Sequence, residues 1–436
     1  VTLQVVTPMA GLAALVAIAR ALLVHPNEVR HTEDGQVAVG NFYVDLFRGI
    51  VRIALPLAFA TALPLVWQGV PSTFEGARTV NTLDPAVALA HQHVPLGPVA
   101  PMLAIKQLGT NGGGWYGPNS AAPLENPTPI SNFIETVALI LLPIATVIMI
   151  GYFTRRPRLA GGILAIMLAL SFISSGLAIY SENQPNAAFT GLAQAGPNME
   201  GKEVRFGATA SALWGALTTQ TSNGSVNSMP DSWNPVGILA LLMDMFINAI
   251  FGGIGVGLIN FLLYILLAAF LGSLMIGRSP EFLGRALETK EIKLISIALL
   301  LGPLLILGFT GATLALPALA HNSNPGFRGL TEVLYEYTSA FANNGSGLGG
   351  LGNNTLWWNI TCAVVLILAR FIPILALLAV AVRLAGKRVA PVGRGSLDVE
   401  TFTFGALVIG VIVMFTLLSF MPILVIGPIG EALLLR

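Results

Sequence analysis

Apolar residues run along this chain in long, nearly unbroken blocks, and the polar stretches between the blocks are of two contrasting kinds. A block of roughly 18 to 25 mainly apolar residues is long enough to cross the hydrocarbon core of a bilayer as an α-helix. Eight stretches fit: 1–24, 46–67, 132–152, 159–180, 236–277, 293–317, 356–382 and 402–425, the fifth long enough to be broken. Short basic connections near 25–52, 153–158, 278–293 and 383–394 alternate with long polar ones near 68–131, 181–234 and 318–355, which are rich in Gly, Asn and Pro.

Composition turns the pattern into a class. Of 436 residues, 54% are hydrophobic and only 10% charged, and the mean hydropathy is +0.77, outside the range of soluble domains. The chain is therefore expected to be an all-α membrane protein. A net charge of +1 leaves no basic face for nucleic acid. The single cysteine, Cys362, excludes an internal disulfide framework and a Cys-based zinc site. His91 and His93 have no further Cys or His near them and are expected in a solvated loop. The chain opens on Val1 without a basic leader, so a preceding N-terminal part is expected.

Charge sets the orientation. The short loops hold Arg30, Arg48 and Arg52; Arg155, Arg156 and Arg158; Arg278, Arg285, Lys290 and Lys293; and Arg383, Lys387, Arg388 and Arg394. The long loops hold Arg78, Lys106, Lys202, Arg205 and Arg328. The positive-inside bias puts the short loops in the cytoplasm and the long ones outside.

Each long loop carries a moderately apolar run, too short to span, that ends in a polar tripeptide closing on Asn-Gly: Thr110-Asn111-Gly112, Ser222-Asn223-Gly224 and Asn343-Asn344-Gly345. No other Asn-Gly pair occurs, and the three are 112 and 121 residues apart. One Asn-Gly reads as a tight turn. Three in register with the topology read as a repeated unit of span, re-entrant half-helix, polar strand and span. Non-helical backbone at membrane depth is tolerated where it lines a wet cavity or meets a ligand, and carbonyl oxygens are what replace the water shell of an alkali cation. The repeats are expected at 46–152, 159–277 and 293–425, with 1–24 as the closing span of a first repeat whose remainder is absent.

Other residues leave choices open. Phe251–Gly257, "FGGIGVG", fits either close helix packing or an unwound break involving Gly252, Gly253 and Gly255. Asp244 is an acid deep in a predicted span, expected to share a helical face with Asn248. Arg370 is a lone cation in a span, either paired with a carboxylate or carbonyl or left as a fixed charge. Glu125 and Glu200, on the outer face, read as ordinary solvated loop charges, with electrostatic attraction of cations as the other reading. The chain lacks a Walker A loop and the Asp-Lys-Thr-Gly-Thr sequence of P-type pumps, and its spans offer no paired Asp, Ser/His arrangement or His-Glu-x-x-His site.

With "KQLGTNGGGW" at 106–115, "PLENPT" at 123–128, "NMEGKEVRFG" at 198–207, "MIGRSPEFLG" at 275–284 and "EVLYEYTSAFANNGSG" at 332–347, the whole chain resembles the potassium-transporting A subunits (KdpA) of the bacterial Kdp pump, in the superfamily of potassium transporters. The resemblance implies a pseudo-fourfold, channel-like fold and a K+ filter at Thr110, Asn111, Gly112, Ser222, Asn223, Gly224, Asn343, Asn344 and Gly345. It implies a gate or tunnel at Gly252, Gly253 and Gly255, an acid near Asn248 whose role passes to Asp244 or is lost, and Arg370 as a barrier to leakage. Family membership further implies a non-catalytic subunit with no organic cofactor, sited in the bacterial inner membrane with its filter loops outside. Its implied partners are a P-type ATPase subunit (KdpB-like), a single-span accessory subunit (KdpC-like), a small single-helix subunit (KdpF-like) and membrane lipid. A stand-alone or ion-coupled K+ channel or symporter of the same superfamily is the alternative.

Overall fold

A computed structural model of the chain describes residues 2–25, 28–83, 90–117, 119–186, 188–189, 196–389 and 398–435; Val1 and Arg394, named above, lie outside them. The described residues are mostly helical, and eight helices are long and apolar enough to cross a membrane. These are α1 (Thr2–Leu22), α2 (Phe42–Trp67), α4 (Pro129–Phe153), α5 (Pro157–Glu182), α8 (Val256–Met275), α9 (Thr289–Leu314), α11 (Leu356–Ala385) and α12 (Phe402–Leu434). Among the described residues, four shorter helices of ten residues or more lie between them: α3 (Val99–Leu108), α6 (Gly207–Gln220), α7 (Pro235–Ile247) and α10 (Gly326–Ala342).

Local chemistry sets many of the ends. Thr128 accepts from the Ser131 N–H in a reciprocal capping box ahead of Pro129, and Thr355 and Thr401 cap α11 and α12 by accepting from the Trp358 and Phe404 N–H groups. Helix α2 starts at Asn41, whose side chain accepts from the Val44 N–H, so Arg48 and Arg52 stand on a helix and not in the basic loop expected for them. A π-helical turn over Ile50–Ala54 lies just before Pro56, where a missing N–H loosens the ladder. In the loop after α2, β1 (Ala77–Asn81) pairs antiparallel with β2 (His91–Pro95). His91 and His93 are exposed on β2, bonded to Asn81 and Thr79, so they occupy a strand where a loop was expected.

The core is centred on α8, which is apolar all round and buries Phe261, Leu262 and Ile265 against Leu15 and Ile18 of α1 and Leu377 and Val380 of α11. A helix apolar on every face belongs inside a bundle. The outer helices instead expose large apolar side chains such as Phe133, Phe172, Ile297, Phe371 and Leu418, as lipid contact requires. At the end of α1, Arg285 donates to the Ala21 and Leu22 carbonyls (3.2 and 3.3 Å) and Arg156 to that of Leu23 (3.0 Å). Two cations thus meet the negative end of the helix.

The stretch 236–277 is broken, as its glycines allowed. Helix α7 stops at Ile247, and the chain turns through Asn248 (φ 45°), Phe251 (φ 82°), Gly252 (φ 58°) and Gly255 (φ 78°) before α8 begins. Asp244 and Asn248 therefore do not share a helical face: Asn248 is the left-handed cap beyond the helix end.

Candidate functional site

Each of α3, α6 and α10 ends in the same backbone turn. Thr110, Ser222 and Asn343 take left-handed φ values of 49°, 54° and 51°, and two residues on, Gly112, Gly224 and Gly345 take φ of 60°, 84° and 99°. The asparagine between them donates its N–H to the carbonyl five residues earlier, Asn111 to Lys106, Asn223 to Thr218 and Asn344 to Ser339 (3.1, 3.1 and 2.9 Å). That bond closes a helix in a Schellman turn. A left-handed conformation costs an L-residue roughly 1–2 kcal/mol, and for β-branched Thr110 it is rarer still. Such backbone persists where its surroundings hold it in place.

The surroundings are the other kinks. Asn223 Nδ2 donates to Gln107 Oε1 (3.1 Å) and the Lys106 carbonyl (3.5 Å), Asn344 Nδ2 to the Thr218 carbonyl (2.7 Å), and Asn111 Nδ2 to the Gln4 carbonyl of α1 (2.7 Å). The carbonyls of Lys106 and Thr218 are the ones that close the neighbouring Schellman turn, so Asn223 and Asn344 each lock the turn before their own, while Asn111 ties the first kink to α1. Each Oδ1 faces a donor: the Ser225 N–H (2.9 Å), the Ser346 N–H (3.0 Å), and the Thr7 hydroxyl (2.7 Å) in the first kink. Trp214 Nε1 on the Ser225 carbonyl (2.9 Å) and the Tyr335 hydroxyl on Ser346 Oγ (2.9 Å) prop the second and third strands.

Glycine is required where the strands meet. A Cβ on Gly112 would collide with the Asn223 carbonyl oxygen, and one on Gly224 with the Asn344 carbonyl oxygen; one on Gly345 would meet nothing within 4 Å. The three kinks thus pack in chain order, first on second and second on third, and the flank beside Gly345 is open. All nine tripeptide residues come together in this cluster.

A cavity of about 650 Å³ lies at the helix ends, lined by Thr110, Asn111, Ser222, Asn343, Gly253 and Arg370, with further walls from α1 and α11. The three half-helix C-termini carry roughly half a negative charge each, so they favour a cation where the cavity meets the kinks. Arg370 opposes them. Its Nε donates to Asn343 Oδ1 (2.9 Å), and among the described residues no carboxylate pairs with it.

The break between α7 and α8 lies against the second kink. The Gly252 N–H donates to the last carbonyl of α6, Gln220 (2.7 Å), Ser222 Oγ donates to Asn248 Oδ1 (3.3 Å), and a Cβ on Gly253 would stand 3.8 Å from that of Ser222. Gly255 is pressed against α1, where a Cβ would collide with the Gly11 carbonyl. Asp244 lies elsewhere. It is buried behind α6, accepting from Ser174 (2.8 Å), Thr219 and Gln220 (3.2 Å each), and does not line the cavity.

Glu125 also departs from expectation: it is 1% exposed and pairs with Lys106 Nζ at 2.7 Å, because Lys106 sits inside the protein on α3. Glu200 is exposed. Sequence reasoning passed over Gln107, Ser225, Ser346, Gln4 and Thr7, which hold the kinks. The signal for two of them was present in the serine that follows Asn-Gly at both 225 and 346.

Helices of spanning length around half-length helices that end on one shared polar cluster define an all-α, multi-pass membrane protein with pore-loop-like turns. The family of potassium-transporting ATPase A subunits (KdpA) matches residues 1–433. The chain belongs to that family. It is 45% identical over 433 residues to the potassium-transporting ATPase potassium-binding subunit of Pseudomonas putida, covering 98% of this chain and 74% of the relative. The subunits of the same name from Geobacillus kaustophilus and Pseudomonas aeruginosa are 43% and 44% identical, covering 100% and 98% of this chain and 76% and 74% of the relatives.

Proposed function

We propose that this chain is the potassium-binding subunit of an ATP-driven potassium-transporting complex, and that K+ is selected among the three kinks. The main-chain oxygens of Thr110, Asn111 and Gly112, of Ser222, Asn223 and Gly224, and of Asn343, Asn344 and Gly345 replace the water shell of the ion. What carries this reading is the packing of Gly112 on the Asn223 carbonyl and of Gly224 on the Asn344 carbonyl. Contact between carbonyl-bearing strands supports a shared cation site; scattered turns would not.

The rest of the reading follows from the repeat. Segments 46–152, 159–277 and 293–425 each form one unit, and 1–24 is the closing span of another. The kinks face the outside of a bacterial inner membrane. An ion leaving them enters the cavity, where Arg370 opposes straight passage and the glycine break at Gly252, Gly253 and Gly255, next to Asn248, controls the exit. Asp244, tied to the end of α6, steadies the second kink. ATP is hydrolysed on a KdpB-like P-type ATPase subunit, with KdpC-like and KdpF-like subunits and lipid completing the complex.

The test is anomalous scattering from the assembled complex with Rb+ or Tl+ in place of K+. We expect a peak within coordination distance of carbonyls from all three tripeptides. A peak confined to the cavity, or beside one tripeptide only, overturns the filter assignment.

A further inference from the structure

Behind the first kink, away from the cavity, a buried polar chain runs from Glu135 through Gln107 to the second kink. Glu135 of α4 is fully buried, and its Oε2 accepts from Gln107 Nε2 (2.8 Å), while its Oε1 has no partner. Gln107, also fully buried, stands on α3 just before the first kink and donates from the same Nε2 to Ser120 Oγ (3.2 Å). Its Oε1 points the other way, accepts from Asn223 Nδ2 (3.1 Å) and lies 3.2 Å from Ser225 Oγ, both in the second kink. Asn223 Oδ1 then accepts from the Ser225 N–H (2.9 Å), and the one Ser225 hydroxyl proton goes either to this oxygen or to Gln107 Oε1.

This chain has a direction. The Glu135 oxygen that faces Gln107 accepts, whereas a side-chain amide accepts at one end and donates at the other. Glu135 therefore fixes which end of Gln107 faces it, so that an oxygen, and not an NH2, is presented to the second kink. That oxygen in turn fixes the Asn223 amide, leaving Oδ1 to hold Ser225. Reversing Gln107 would set its NH2 against Asn223 Nδ2 and leave buried donors without acceptors, a cost of about 1–3 kcal/mol for each group.

We infer that Glu135 and Gln107 are positioning residues that tune K+ affinity and selectivity, because together they orient the second kink across its contact with the first. The inference rests on the transport reading above and names residues outside the tripeptides. Their effect reaches the ion through Asn223, whose carbonyl oxygen is the one packed on Gly112. A second buried pair, Lys106 with Glu125, holds Ser120 through Lys106 Nζ (2.9 Å) and so keeps the near end of the chain in place.

The test uses the full-length subunit in its complete complex and reads K+-stimulated ATP hydrolysis together with Rb+ and Na+ competition. Glu135→Leu and Gln107→Leu should raise the KM for K+ by about tenfold, equivalent to about 1.4 kcal/mol, and narrow the discrimination against Na+, with kcat within about twofold of the parent. Glu135→Gln keeps an acceptor but no longer dictates the orientation of Gln107, and should fall between parent and Glu135→Leu. Ser225→Ala, a change small enough to preserve assembly, should raise KM by about threefold, the effect of one weak buried hydrogen bond. An unchanged KM in an assembled Gln107→Leu or Ser225→Ala complex overturns the inference, as does a loss of kcat at constant KM. A parent complex whose ATP hydrolysis ignores K+ would instead overturn the transport reading itself.

Discussion

The first and third kinks share a backbone and differ in almost everything around it. At the first, Gly112 is wedged against the Asn223 carbonyl, Asn111 is bonded to Gln4 and Thr7 of α1, and buried charges lie behind. At the third, Gly345 has open space beside it, and Asn343 on the cavity wall accepts from Arg370. The left-handed residue also differs: β-branched Thr110 against Asn343, one of the few side chains that take this conformation readily. An identical turn therefore states where the chain bends, and its neighbours state how much change the bend tolerates.

The sharpest way to break that comparison is to add one methyl group at each glycine. Gly112→Ala and Gly224→Ala add a Cβ both at positive φ and into a backbone oxygen that cannot rotate away. Gly345→Ala adds only the conformational cost, roughly 1–2 kcal/mol. We expect the first two to raise the KM for K+ stimulation of the assembled complex by about a hundredfold or more, or to abolish stimulation. The third should change it by about thirtyfold at most, since the upper end of that cost, about 2 kcal/mol, is about one and a half decades. Equal effects at 112 and 345 would mean that conformation alone matters and contact between the kinks does not.

Arg370 sharpens the contrast from the third side. No carboxylate among the described residues balances it, and its Nε is held by Asn343 Oδ1. Arg370→Gln keeps a donor for that oxygen and removes the charge. Under the transport reading, K+ moved per ATP should fall to about half or less, since one charge on the cavity wall offsets much of the roughly 1.5 negative charges of three helix ends. The KM for K+ should stay within about threefold. A parent-like transport ratio in proteoliposomes removes the barrier role.

Much of this is legible in the sequence. Spans were visible because apolar blocks of bilayer length have few other uses in so uncharged a chain. The kinks were visible because Asn-Gly occurs three times only, each time between two spans. What holds the kinks was not legible. Gln107 to Ser225 and Asn344 to Thr218 are contacts across more than a hundred residues, and no local period encodes them. Burial of Glu125 was hidden for a related reason: a carboxylate in a polar loop reads as solvated unless its partner, Lys106 on α3, is known to be inside. The expected shared face of Asp244 and Asn248 failed because a helix period was extended through a residue that caps the helix.

The smallest expected effect concerns the left-handed residue itself. Thr110 pays for a conformation that its branched Cβ resists, whereas Asn343 adopts it with its Nδ2 directed at the carbonyls of Ala340 and Phe341 (3.4 and 3.2 Å). Those carbonyls lie three and two residues before Asn343, so an asparagine at 110 would reach the equivalent oxygens of Gln107 and Leu108. Thr110→Asn should therefore stabilise the first kink by about 1 kcal/mol, the lower end of the left-handed penalty, and raise the thermal midpoint of the purified complex by a few degrees. Because the change leaves the φ of residue 110 and the Gly112 contact alone, the KM for K+ should stay within about twofold. A fall in the midpoint would show that Thr110 is held by packing that an asparagine cannot reproduce, and the two kinks would then differ in how the bend is formed as well as in what surrounds it.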